Sequence, residues 1–177
     1  MLKAVFLDRD GVINKPLLKE QRPYPPANLI DLEILPKVDL ALKNLREFGY
    51  LIIVITNQPD VARGKILLET VKKINLYLHK KLLIDEFYCC FHDDADGCNC
   101  RKPKPGSILR AMQKYKIDAR QSFMVGDRWR DIEAGQTAGC KTIFIDYGYN
   151  EKTPSNYDYR VSSLYEASEI IIGEQNG

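Results

Sequence analysis

Short, largely apolar runs alternate along this chain with stretches whose apolar residues recur at helical spacing. The runs are Ala4-Val5-Phe6-Leu7 (after Lys3), Leu51 to Ile55, Phe87 to Phe91, Ser122-Phe123-Met124-Val125 and Thr142 to Ile145. Uninterrupted runs of this length, closed by turn residues, predict strands buried on both faces of a parallel sheet. Between them, Pro36 is placed to open a helix that carries Val38, Ala41, Leu42, Leu45 and Phe48 and stops at Gly49. Helices are also predicted from Leu67 to Lys80, from the turn at Gly106 to about Tyr115, around Asp131, Ile132 and Ala134 up to Gly139, and from Leu164 to Ile172. Strand and helix in strict alternation predict an α/β fold, a Rossmann-like three-layer sandwich around a central parallel sheet of five strands. Two stretches resist the pattern. Residues 12–35 hold four prolines without periodicity, and residues 147–163 are polar and expected to be irregular.

The polar residues that end these runs carry the chemistry. Asp8 and Asp10 follow the first strand, Thr56, Asn57 and Gln58 the second, and Asp127 and Arg128 the fourth, while Lys102 precedes a helix. In an open α/β sheet the ligand crevice lies at the carboxyl ends of the strands, so this set is expected on one rim. Two carboxylates one residue apart repel unless a cation or a proton sits between them. An ordinary Asp-Gly turn after a strand is the alternative for Asp8 to Gly11 taken alone. The long loop after Asp10 is either part of the substrate site or a surface excursion.

Composition narrows the classes. A chain of 177 residues, 45% hydrophobic and 28% charged, fits one domain of an ordinary globular protein. A net charge of +2 gives no case for a nucleic-acid or membrane surface, and no apolar run approaches a transmembrane length. With a strand where a signal peptide would stand, the chain is expected to be cytoplasmic, and a monomer. Four of its five cysteines fall between Cys89 and Cys100. In a reducing compartment such crowding points to metal. Cys90, His92, Cys98 and Cys100 make a tetrahedral Zn²⁺ set of the closed, structural kind, in a loop of residues 90–100 after the third strand. Cys89 on a strand points to the other face and is left out. Four unligated core residues are the alternative.

Asp8, Asp10 and Asp127 offer hard oxygen ligands suited to Mg²⁺ beside a phosphate. Thr56, Asn57 and Lys102 offer a hydroxyl, an amide and an ammonium to phosphate oxygens. A carboxylate kept ionised in such a place can attack phosphorus, and a second one can move the proton. Trp129 either covers this site or fills a helix–sheet seam. Cys140 is expected to be a small buried residue, and His79 to lie on the surface.

The combination resembles the haloacid dehalogenase-like superfamily of phosphatases, through Asp8-x-Asp10-Gly11, Thr56, Lys102 and Gly126-Asp127-x-x-x-Asp131 in order. The resemblance implies Asp8 as nucleophile and Asp10 as general acid/base. It places Mg²⁺ on Asp8, the Asp10 backbone carbonyl and Asp127, and gives Thr56 and Lys102 the transferring phosphate. Asp131 would support the site from behind or bind the metal through water. Asp-Arg-Asp-Gly, Thr-Asn-Gln, Ala62-Arg63-Gly64-Lys65 and Cys98-x-Cys100-Arg101-Lys102-Pro103 further resemble the heptose bisphosphate phosphatases within that superfamily. That group lacks a large cap domain and acts in supplying activated heptose to surface polysaccharides. The likeness implies a phosphorylated sugar as partner, Arg101 on its second phosphate, and Arg63 and Arg128 assisting. Pro59-Asp60-Val61 and the proline-rich loop depart from the pattern of that group. A histidinol-phosphate phosphatase shares the signatures and stays open, as does a zinc-stabilised binding module without catalysis.

Overall fold

A computed structural model describes residues 1–175. Its main sheet holds six parallel strands: β1 (Lys3–Leu7), β4 (Tyr50–Asn57), β5 (Glu86–Cys90), β6 (Phe123–Gly126), β7 (Lys141–Ile145) and β8 (Tyr159–Val161). Their order across the sheet is β5-β4-β1-β6-β7-β8, so β1 lies inside it and the chain winds outward in both directions. Five helices cover the sheet: α1 (Val38–Glu47), α2 (Leu68–Leu82), α3 (Gly106–Tyr115), α4 (Trp129–Thr137) and α5 (Leu164–Gly173).

Alternation along the strands divides the core in two. Val5, Leu7, Ile52 and Val54 pack with Leu42 and Leu45 of α1, Ile74 and Leu78 of α2, and Ala167 and Ile171 of α5. Ala4, Phe6, Ile53 and Ile55 face the other way, onto Ile108 and Ala111 of α3 and Ala134 of α4. Because successive side chains point to opposite faces, only a run without polar interruption can fill both layers. Gly135 lets α4 press onto the sheet, since a Cβ there would stand 2.5 Å from Met124 Cβ.

Three expectations need correction. The irregular stretch 147–163 contributes a sixth strand, β8, at the sheet edge. It is three residues long and only Val161 is buried, so no apolar run announces it. The stretch 12–35 contains a two-stranded antiparallel hairpin, β2 (Leu17–Lys19) and β3 (Arg22–Tyr24), turned by Glu20 and Gln21 at positive φ. Pro36 does not open α1, which starts at Val38 after Lys37 in the left-handed region. Among the described residues there is no large cap domain, and no helix is long and apolar enough to cross a membrane.

Candidate active site

The carboxyl ends of β1, β4 and β6 open onto a cleft of about 280 Å³ that Asp8, Asp10, Asn57, Lys102, Arg101 and Arg128 all line. Each is delivered where a buried strand or a tight turn ends. Asp8 follows β1 directly and is 7% exposed, with its Oδ1 accepting from the Arg9 backbone N–H at 2.8 Å. Asp127 follows β6 and is 1% exposed. Gly11 makes room for it. Gly11 has φ +94°, and a Cβ there would fall 1.8 Å from Asp127 Oδ2. Gly126 does the same for Asp131, whose Cβ would be 2.1 Å away.

Lys102 ties the rim together. Its ammonium lies 2.8 Å from Asp8 Oδ1 and 2.7 Å from Asp131 Oδ1 and donates to the Ile55 carbonyl at 2.6 Å, which occupies all three of its N–H groups. Burial works against that charge, but Asp131 and Asp8 outweigh it and hold the ammonium above its usual range. Asn57 fixes the lysine from behind, bonding its backbone N–H and carbonyl at 3.1 and 3.0 Å. Asp131 also accepts from the Arg128 backbone N–H at 3.0 Å, so it braces both Lys102 and the start of α4.

Carboxylate oxygens of Asp8, Asp127 and Asp131 lie within 4.8 Å of one another. Burial, despite Lys102, pushes the Asp8 carboxyl up to about 6. Asp127 is raised well above the carboxylate range by burial and then by Asp8 and Asp131. Tyr149 donates to Asp127 Oδ2 at 2.9 Å, whereas Asp127 Oδ1 is buried without a hydrogen-bond partner. An orphaned buried oxygen among three carboxylates and one ammonium fits a hard divalent cation.

Asp10 stands in a different setting. Arg9, itself fully buried, grips its carboxylate at 3.0 to 3.2 Å and anchors on Asn75 of α2 at 2.9 Å. Asn14 and Gln58 donate to the same carboxylate at 2.9 and 2.8 Å. Thr56 and Gln58 are buried at the end of β4, where the Gln58 amide donates to Thr56 Oγ1 at 2.9 Å and to Asp10.

The arginines divide by partner. Arg63 pairs with Asp93 through two bonds of 2.6 Å, which drops the Asp93 carboxyl to about 2. Arg128 pairs with Glu151 at 2.5 to 3.1 Å. Arg101 bonds Asp94 at 2.8 Å, and Arg130 reaches the same oxygen at 3.1 Å. Trp129 does not fill a seam. It is half-buried at the start of α4, with Arg130 and Lys152 over its ring at 4.8 and 4.3 Å.

Cys90, His92, Cys98 and Cys100 converge after β5. Cys90 Sγ, Cys98 Sγ and Cys100 Sγ stand 3.3 to 3.6 Å apart, and His92 Nδ1 lies 3.3 Å from Cys100 Sγ. Zn–S bonds of about 2.3 Å would set tetrahedral edges of about 3.8 Å, so the four donors fit zinc after a small expansion. Cys89 points away and accepts from Asn75 at 3.0 Å. Cys140 is buried and His79 exposed, as expected.

Sequence reasoning passed over Arg9, Arg22, Tyr24, Asp94, Arg130, Tyr149 and Glu151. Arg9 and Arg130 stood inside the signatures as spacers, though two arginines flanking Trp129 were a legible signal. Arg22 and Tyr24 reach the cleft on a hairpin that carries no apolar pattern. Tyr149 and Glu151 come from the linker before β8.

A parallel sheet whose strand ends gather a buried aspartate, a buried lysine and a carboxylate cluster points to the haloacid dehalogenase-like class of hydrolases. A family model described as HAD-hydrolase-like matches residues 99–167. A D-glycero-alpha-D-manno-heptose-1,7-bisphosphate 7-phosphatase of Photorhabdus laumondii is 34% identical, over 96% of this chain and 97% of that protein. A D-glycero-beta-D-manno-heptose-1,7-bisphosphate 7-phosphatase of Helicobacter pylori is 34% identical, over 88% of this chain and 90% of that protein. The solved D,D-heptose 1,7-bisphosphate phosphatase of B. bronchiseptica, complexed with magnesium and phosphate, superposes with a TM-score of 0.80 at 27% identity, covering 98% of this chain and 99% of that one. The chain belongs to the HAD-like hydrolase family and, within it, to the branch of phosphatases that these relatives form.

Proposed function

We propose that this enzyme removes the 7-phosphate of D-glycero-D-manno-heptose 1,7-bisphosphate. The observation that carries the reading is Arg101, which lines the same cleft as Asp8 although Lys102 already meets the charge at the reaction centre. A guanidinium there suits a second phosphate, and a bisphosphate supplies one. The relatives named for this activity support it, under both anomeric names, across nearly the whole chain. Histidinol phosphate, with one phosphate, would leave Arg101 unused.

In the reaction a carboxylate oxygen of Asp8 attacks phosphorus and the bond between phosphorus and the sugar oxygen breaks, leaving an aspartyl phosphate on Asp8. Asp10 gives a proton to the departing oxygen, then takes one from the water that attacks the aspartyl phosphate. Phosphate leaves and Asp8 is free again. Lys102 neutralises the phosphoryl oxygens, and Thr56 offers its hydroxyl to them. Arg63 and Arg128 flank the sugar at the cleft wall. Mg²⁺ held by Asp8, the Asp10 carbonyl and Asp127 would supply further charge neutralisation to the transferring group. Zinc on Cys90, His92, Cys98 and Cys100 would hold the loop that carries Arg101.

Phosphate release with Mg²⁺ from heptose 1,7-bisphosphate, histidinol phosphate and p-nitrophenyl phosphate tests the reading. The bisphosphate is expected to give the highest kcat/KM by at least tenfold. A higher value on histidinol phosphate overturns the assignment in favour of that substrate.

A further inference from the structure

Trp129 and Arg130 have no part in the reaction as described, yet Arg130 lines the cleft and Trp129 packs against its guanidinium. Arg130 is the second residue of α4 and lines the cavity with Asp8 and Arg101. One face of its guanidinium lies against the Trp129 ring, 4.8 Å from the centroid. One edge donates to Asp94 Oδ1 at 3.1 Å, and the same oxygen takes Arg101 Nε at 2.8 Å. Asp94 thus holds two guanidinium groups side by side. They come from different segments, Arg101 from the chain just after Cys100 and Arg130 from α4.

The charges do not balance. Two guanidinium groups share one carboxylate, and Asp94 is itself 57% exposed, so water weakens its share of the pairing. Arg101 and Arg130 are 11% and 27% exposed in their side chains, more withdrawn from water than the acid that pairs them. Two cations that would otherwise repel are therefore kept adjacent in a partly desolvated cleft with a net positive charge. An incoming dianion removes that repulsion, and each guanidinium can offer it a planar pair of N–H groups. Trp129 limits the rotation of Arg130, which reduces the entropy lost when the anion binds.

We propose that Arg130 is a specificity-determining residue, which with Arg101 forms a two-arginine clamp, spaced by Asp94, for the phosphate monoester dianion that is not transferred. The inference rests on the reading of this enzyme as a sugar bisphosphate phosphatase. It also gives the metal-binding loop a task at the substrate. Asp94 sits between His92 and Cys98, so the loop sets the distance between the two arginines.

The test is the discrimination ratio, kcat/KM on heptose 1,7-bisphosphate divided by kcat/KM on p-nitrophenyl phosphate, measured on the zinc-containing enzyme with Mg²⁺. Arg130→Gln is expected to lower that ratio about tenfold, mainly through a higher KM for the bisphosphate. Arg130→Lys should recover only part of it, because an ammonium cannot present the planar fork. Asp94→Asn, with zinc content checked by elemental analysis, should lower the ratio as well. An unchanged ratio in Arg130→Gln overturns the clamp while the substrate assignment stands. A wild-type enzyme with no preference for the bisphosphate overturns the assignment itself, and the clamp with it.

Discussion

Replacing Asp127 by Asn tests the electrostatic account of the site most directly. Oxygens of Asp8, Asp127 and Asp131 lie within 4.8 Å of one another, and Lys102 contacts only Asp8 and Asp131. At that distance and an effective dielectric constant of 20, two ionised carboxylates repel by about 3.5 kcal/mol. A carboxyl held at about 6 in place of 3.8, as Asp8 is, costs folding about 3 kcal/mol once it ionises. Asp8 and Asp127 are both raised, so the folded chain binds more protons than the unfolded one above about pH 4. Their contribution to stability is therefore favourable in acid and declines as pH rises through 6. Asn keeps the shape and can still accept from Tyr149, but it removes one of the crowded charges. Dialysed free of Mg²⁺ with zinc left in place, Asp127→Asn should be more stable than wild type by roughly 3 kcal/mol at pH 7.5, a rise in Tm of roughly 6 to 12 °C for a chain of this size. The gap should close toward pH 4. Saturating Mg²⁺ should raise wild type by about 2.7 kcal/mol at a hundredfold excess over Kd and leave the variant nearly unmoved. Thermal melts by circular dichroism at pH 4, 6 and 7.5, with and without Mg²⁺, read all of this. A Mg²⁺-free variant no more stable than wild type at pH 7.5 would refute the claim that these carboxylates are crowded for want of a cation.

Asp8→Asn should abolish turnover, by about 10³-fold or more, in a protein that still folds, and activity near wild type would end its role as nucleophile. Gly11→Ala forces a Cβ onto Asp127 at a φ of +94° and should destabilise the fold by roughly 2 to 4 kcal/mol in urea melts, with a change under about 0.5 kcal/mol contradicting the close approach. Cys98→Ser should lower bound zinc in elemental analysis and raise KM for the bisphosphate, because the loop carrying Asp94 and Arg101 loses its anchor. Full zinc content in that variant would show that the four donors do not act as one site.

Much of this molecule was legible in the residues taken one stretch at a time. β1 and the strands beside it show as apolar runs because both faces of the sheet are covered, and that is a local property of the chain. Asp8, Asn57 and Asp127 could be placed on one rim because strand ends in a parallel sheet all point the same way. Cys90, His92, Cys98 and Cys100 lie close enough in the chain to suggest a metal by spacing alone. The remainder depends on distance between segments far apart in sequence. β8 pairs with β7 at the sheet edge with one buried side chain, too little apolar pattern to announce a strand. The hairpin bearing Arg22 and Tyr24 is exposed on both strands, so alternation could not mark it. Arg9 looked like a spacer until folding buried it against Asp10 and Asn75, residues 1 and 66 positions away. Arg101 and Arg130 are 29 residues apart, and only the shared oxygen of Asp94 makes them a pair. Local chemistry is written in order along the chain, whereas the charges that meet across the cleft are decided by packing, which no single stretch contains.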